Sequence, residues 1–134
     1  MRWLEPGSVD LTDPGQARGR CFIESHPVAV KAGALLVAAT HREYNRGHWA
    51  VFFPTDPADP AEGGRVVDAT ARQFYPHTQA APYEADLDTW LDDVAEWLHG
   101  SLDYALYVPG PSYGASMVQV FEDFWGREDM DVLA

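Results

Sequence analysis

Apolar positions fall along this chain in blocks whose spacing changes from one block to the next. Ala34-Leu35-Leu36-Val37-Ala38-Ala39-Thr40 and His48-Trp49-Ala50-Val51-Phe52-Phe53 are strand-length apolar runs on either side of the polar stretch Arg42–Gly47. Such a pair predicts an antiparallel hairpin. Pro54 to Gly64, with Asp-Pro at 56–57 and again at 59–60, is dense in turn formers, and a third strand starts at Arg65-Val66-Val67-Asp68. After Phe74-Tyr75-Pro76 the period lengthens. Leu87, Trp90, Leu91, Val94, Trp97 and Leu98 recur at helical spacing behind Asp86 and Asp88, either of which can cap, and Gly100 is the expected stop. Leu102, Tyr104, Leu106 and Val108 alternate as a fourth strand, and Met117, Val118, Phe121, Phe124 and Trp125 trace a second amphipathic pattern. Ahead of the hairpin, Cys21, Phe22, Val28 and Ala29 allow a short helix over Cys21 to Ala32, which Pro27 is expected to break or kink.

Turn formers dominate the opening segment, so residues 1–18 are expected to run as an irregular arm, followed by a single domain over 19–126 and an acidic tail over 127–134. A chain of 134 residues that is 46% apolar and 13% aromatic can build one core and is not a disordered polymer. The expected class is α+β, with helices packed on a small, mainly antiparallel sheet.

Charge narrows the partners. Nine Lys plus Arg against 21 Asp plus Glu give a formal charge of −12, which repels phosphate backbones and anionic membranes. Neither nucleic acid nor membrane is an expected partner. The N-terminus lacks the basic region and apolar stretch of a signal peptide, so a cytoplasmic location is expected, with export by a non-signal route left open. His26, His41, His77 and His99 have no mutual spacing that makes a metal site, and Asp86, Asp88, Asp92 and Asp93 read as a solvated helix face near its positive end. No metal and no cofactor are expected.

One cysteine, Cys21, excludes an intrachain disulfide and leaves a thiol that is either a buried apolar group or a nucleophile. Taken singly, Cys21 reads as core, His48 as an edge-strand histidine and Asp68 as a turn cap. Taken together they are the types a thiol nucleophile needs: an imidazole to accept the thiol proton and a carboxylate to orient the imidazolium. If Cys21 opens a helix, the positive end of that helix favours thiolate and can bind an oxyanion.

Gly47-His48-Trp49-Ala50-Val51 followed by Val66-Val67-Asp68-Ala69-Thr70-Ala71-Arg72-Gln73-Phe74 resembles the His and Asp motifs of the papain-like fold toxins and protein-glutamine deamidases of bacterial polymorphic-toxin systems. Gly19-Arg20-Cys21, with Ser25 beyond it, is similar to their nucleophile segment, and the match spans about residues 19–76. The resemblance implies a papain-like cysteine hydrolase fold and a triad of Cys21, His48 and Asp68. It also implies amide chemistry on a protein or peptide through a thioester, with a possible neutralising protein partner. Deamidation of glutamine is favoured, and peptide cleavage or acyl transfer would use the same residues. Gln16, five residues before Cys21, and Gln73, after the Asp motif, are candidates for oxyanion or substrate contacts, as is the backbone N–H of Cys21. From a different class, a non-catalytic domain that uses its acidic surface to hold a basic partner would fit the charge.

Overall fold

The computed structural model describes residues 10–17, 20–43, 47–74 and 82–110. The pattern through Met117, Val118, Phe121, Phe124 and Trp125, the tail, His77 and Gly19 lie outside the described residues. Five strands form one antiparallel sheet: β1 (Leu35–His41), β2 (Gly47–Pro54), β3 (Gly64–Asp68), β4 (Tyr83–Asp86) and β5 (Leu102–Tyr107), in the order β4-β3-β2-β1-β5. The expected hairpin is β1–β2, with Ala39 opposite His48 and Leu36 opposite Val51. The class is therefore α+β.

Strand alternation sorts the core into two layers, one on each face of the sheet. Leu36, Ala38, Trp49 and Val51 point to the side covered by α2 (Cys21–Ala32), where they meet Phe22 and Ala29. Val37, Ala39, Ala50, Phe52 and Val66 point to the side covered by α3 (Leu87–Leu98), where they meet Trp90, Val94 and Trp97. The sheet is buried on both faces, which is why β1 and β2 read as continuous apolar runs rather than alternating ones.

Several local expectations are corrected. The arm is not wholly irregular, because α1 (Pro14–Ala17) makes one helical turn there; Asp13 Oδ1 takes the Gly15 N–H at 2.9 Å, and Ala17 is buried. The helix α2 runs unbroken through Pro27. Tertiary packing outweighs the lost backbone bond: every residue from Cys21 to His26 is buried, and the Phe22 ring meets Trp49 edge-on at 4.9 Å. Past Pro27 the helix leaves the core, so Val28 is exposed and Ala29 carries the packing. The strand β4 is short and polar, YEAD, and has no apolar signature in the sequence.

At the start of α3, Asp86 is the cap, its Oδ1 accepting the Thr89 N–H at 2.7 Å. At its end the left-handed residue is His99, with φ 60°, rather than Gly100. Glycine is required at 100 for space, since a Cβ there would run into the His41 ring. That ring is itself fixed at both nitrogens, Nε2 lying 3.3 Å from the His99 carbonyl and Nδ1 accepting the Glu43 N–H at 3.0 Å.

Candidate active site

Three features of the fold bring the candidate residues to one end of the sheet. His48 is the second residue of β2 and shares a face with Ala50 and Phe52, the face covered by α3. Asp68 ends β3 on the same face as Val66. Pairing between β2 and β3 runs from Val51–Val67 to Pro54–Gly64, so among the described residues the His48 end of β2 carries no paired strand on that side. The chain turns there through Thr70 into a 3-10 turn at Ala71–Phe74. From the opposite face α2 brings its first residue, Cys21, to this open end of the sheet.

His48, Asp68 and Cys21 are all fully buried. His48 Nε2 lies 2.6 Å from Asp68 Oδ2, a charge-assisted contact at the short end of its range. Asp68 holds further donors: the Trp90 indole N–H donates to Oδ2 at 2.9 Å, and the Thr70 N–H donates to Oδ1 at 3.2 Å. Cys21 lies close enough to His48 for its hydrogen bonding and charge to favour the protonated ring. Gln73 Nε2 approaches His48 Nδ1, at 3.4 Å, and donates to Thr70 Oγ1 at 3.2 Å. Phe74 meets the imidazole edge-on at 4.9 Å, and the Trp90 ring lies over it at 6.0 Å and 29°.

Burial alone pushes the His48 pKa down. The charge and hydrogen bond of Asp68, joined by the hydrogen bond and charge of Cys21, outweigh it and lift the value to about 10. The ring therefore carries its proton at neutral pH. Below Cys21, a buried ion pair joins Arg20 and Glu24 at 2.6 Å across one turn. Arg20 is the residue preceding α2, and its side chain makes no capping bond, so the positive end of the helix falls at Cys21.

The structure thus unites Cys21, His48, Asp68 and Gln73. Gln16 lies in α1, and its side chain falls outside what the structure describes. Sequence reasoning missed Trp90, whose place in a helical apolar stripe fully explains it without a polar role. The Thr70 N–H, two residues after Asp68, closes an Asx-type turn on its carboxylate, in keeping with the turn-cap role that Asp68 taken singly suggests. A cavity of about 470 Å³ lined by Leu35, Pro54, Pro60, Tyr107 and Val108 lies at the other end of β2 and takes no part in this cluster.

Among the described residues no helix is long and apolar enough to cross a membrane, and no three His, Cys, Asp or Glu side chains converge as metal ligands. Comparison with protein-family models, with curated proteins and with solved structures gives no match.

Proposed function

We propose that this protein is a cysteine-dependent amidase of papain-like organisation, acting on protein or peptide carboxamides through a thioester, with glutamine deamidation as its reaction. The observation that carries the reading is the buried 2.6 Å contact between His48 and Asp68, with Cys21, the first residue of a helix, acting on the same ring. In the reacting state the proton of the Cys21–His48 pair resides on Nδ1, so the ring is the imidazolium, and Sγ attacks the carboxamide carbon as the thiolate while the C=O π pair moves onto oxygen. The oxyanion develops beside the helix N-terminus, where the Cys21 backbone N–H is the candidate donor; Gln16 stays a candidate from the sequence alone. Nδ1–H then protonates the departing nitrogen, ammonia leaves, and water delivered through the same nitrogen hydrolyses the thioester to a carboxylate. Asp68 holds the ring's orientation through the cycle and stabilises its charged form whenever Nδ1 carries a proton. Peptide cleavage and acyl transfer use the same steps with a different leaving or accepting amine.

A second reading draws on the burial of all three side chains, since a substrate carbonyl reaches Sγ only when atoms around it move aside. If they never do, the chain is an acidic interaction domain on the same scaffold. One experiment separates the two. The full chain and Cys21→Ala are treated with iodoacetamide at neutral pH, then incubated with glutamine-bearing protein substrates and read by mass spectrometry. Amidase function requires adduct formation at Cys21 and a gain of about one dalton at substrate Gln that the Cys21→Ala chain does not produce. A thiol inert under native conditions and reactive only after unfolding would refute it.

A further inference from the structure

The turn from Asp68 to Phe74 touches His48 at both nitrogens. Asp68 stands at Nε2 and Gln73 at Nδ1, while Thr70 between them donates its N–H to Asp68 and accepts the Gln73 amide N–H at its hydroxyl oxygen. A primary amide is a donor at one end and an acceptor at the other in nearly the same shape, so a half-turn exchanges the two without displacing neighbours. A hydroxyl can likewise donate or accept.

We propose that Gln73 is a positioning residue for His48 whose carboxamide turns over with the charge of the ring, donating N–H to Nδ1 of the neutral imidazole and accepting Nδ1–H through Oε1 from the imidazolium. The Thr70 hydroxyl reverses its role in step, accepting in the first state and donating in the second. This inference rests on the thiol reading above and gives Gln73 to the imidazole rather than to the oxyanion.

The number of ring hydrogens decides which end of the amide can face His48. In the neutral ring the single N–H is spent on Asp68, and Nδ1 presents a lone pair to the Gln73 N–H. In the charged ring both nitrogens donate, and an amide N–H facing Nδ1–H would set donor against donor in a site where His48, Asp68 and Thr70 are fully buried. Turning the amide brings Oε1 to the place Gln73 Nε2 held, where it accepts both Nδ1–H and the Thr70 O–H. The chemistry needs such an acceptor at one moment above all. Once Sγ is bonded to the substrate carbon in the tetrahedral adduct it accepts hydrogen bonds poorly, and Oε1 then holds Nδ1–H in line until it passes to the leaving nitrogen, whose departure forms the thioester. The titratable groups facing the ring are Asp68 from β3 and Cys21 from α2, with the Arg20–Glu24 pair at the same end of α2; α3 presents the Trp90 indole and the 3-10 turn presents Gln73 and Phe74.

The test is nuclear magnetic resonance of the full, nitrogen-15-labelled chain, following the Gln73 side-chain amide and the His48 ring nitrogens as the ring is titrated. The Gln73 signals are expected to move with the same midpoint as the ring. Gln73→Glu, which can only accept, is expected to raise that midpoint by about one unit, a tenfold gain in proton affinity. Asp68→Asn reaches the neutral ring near pH 7 without alkali, and its Gln73 amide signals are expected at the position the wild type attains only at high pH. Gln73 signals that stay fixed while the ring titrates, or a midpoint unmoved by Gln73→Glu, would overturn the proposal. The measurement uses neither substrate nor electrophile. Cys21 labelling with a fixed Gln73 amide would therefore refute this inference alone, and an inert Cys21 with a responsive amide would refute the amidase reading alone.

Discussion

Replacing Asp68 by Asn removes one charge while keeping the shape of the side chain, and its effect can be worked from the site. In the folded protein Asp68 and Cys21 together lift His48 from 6.5 to about 10 against a burial effect of opposite sign. At about 1.4 kcal/mol per pH unit that difference corresponds to roughly 5 kcal/mol, in line with the 3–5 kcal/mol typical of breaking one side of a buried pair. The sign follows from linkage. The folded ring holds its proton more tightly than the unfolded one, so its contribution is complete below about pH 6.5 and is lost as pH rises toward 10. In Asp68→Asn burial dominates, the ring stays neutral, and stability instead falls as pH drops below 6.5. Urea unfolding of both chains at intervals between about pH 5.5 and 10 measures the gap. It should be several kcal/mol at the acid end and close steadily toward alkaline pH. A gap of constant size across this range would show that Asp68 does not hold a charged His48, and the proton-transfer scheme would fall with it.

Three further outcomes are expected. Trp90→Phe keeps an aromatic ring over His48 but deletes the N–H to Asp68, and should cost about 1.5–3 kcal/mol as a lost hydrogen bond to a charged group, read from the urea midpoint. Gly100→Ala drives a methyl into the His41 ring and should cost about 1–3 kcal/mol in the same assay, leaving the rate of Cys21 labelling unchanged. Arg20→Met strands the Glu24 carboxylate in the interior and should cost about 3–5 kcal/mol, most of which Arg20→Met with Glu24→Leu restores; a double variant no better than the single would refute the pairing.

The elements that were legible in the sequence are those whose apolar pattern is complete within one segment. The β1–β2 hairpin and α3 are of this kind, because each buries a run or stripe long enough to announce its period. The strand β4 is not, since YEAD is held by its pairing with β3 and offers one buried side chain, Ala85. Pro27 misled because propensity is local, whereas α2 is held by Phe22 against Trp49 in a strand twenty-seven residues away. At the site, the residue types and order of Cys21, His48 and Asp68 pointed to a shared location, and the short span of β3 explains physically how two faces of a sheet can meet there. What the sequence concealed was the polar use of an apolar-looking residue: nothing in the spacing of Trp90 distinguishes a ring that only packs from one whose N–H also serves a carboxylate.

The thiol comes from the layer on one face of the sheet, and the groups that govern its imidazole come from the other. Neither layer alone assembles the reactive centre. A chain leaving the ribosome N-terminus first exposes Cys21 and His48 well before the segment carrying Trp90 has emerged, and domains generally fold as whole units. Reactivity is thereby tied to completion of the fold: an unfinished chain carries the thiol and the imidazole but lacks the second layer that sets them against each other. If Cys21 is the proposed nucleophile, its imidazole gains the Trp90 side of its surroundings only once synthesis has passed α3.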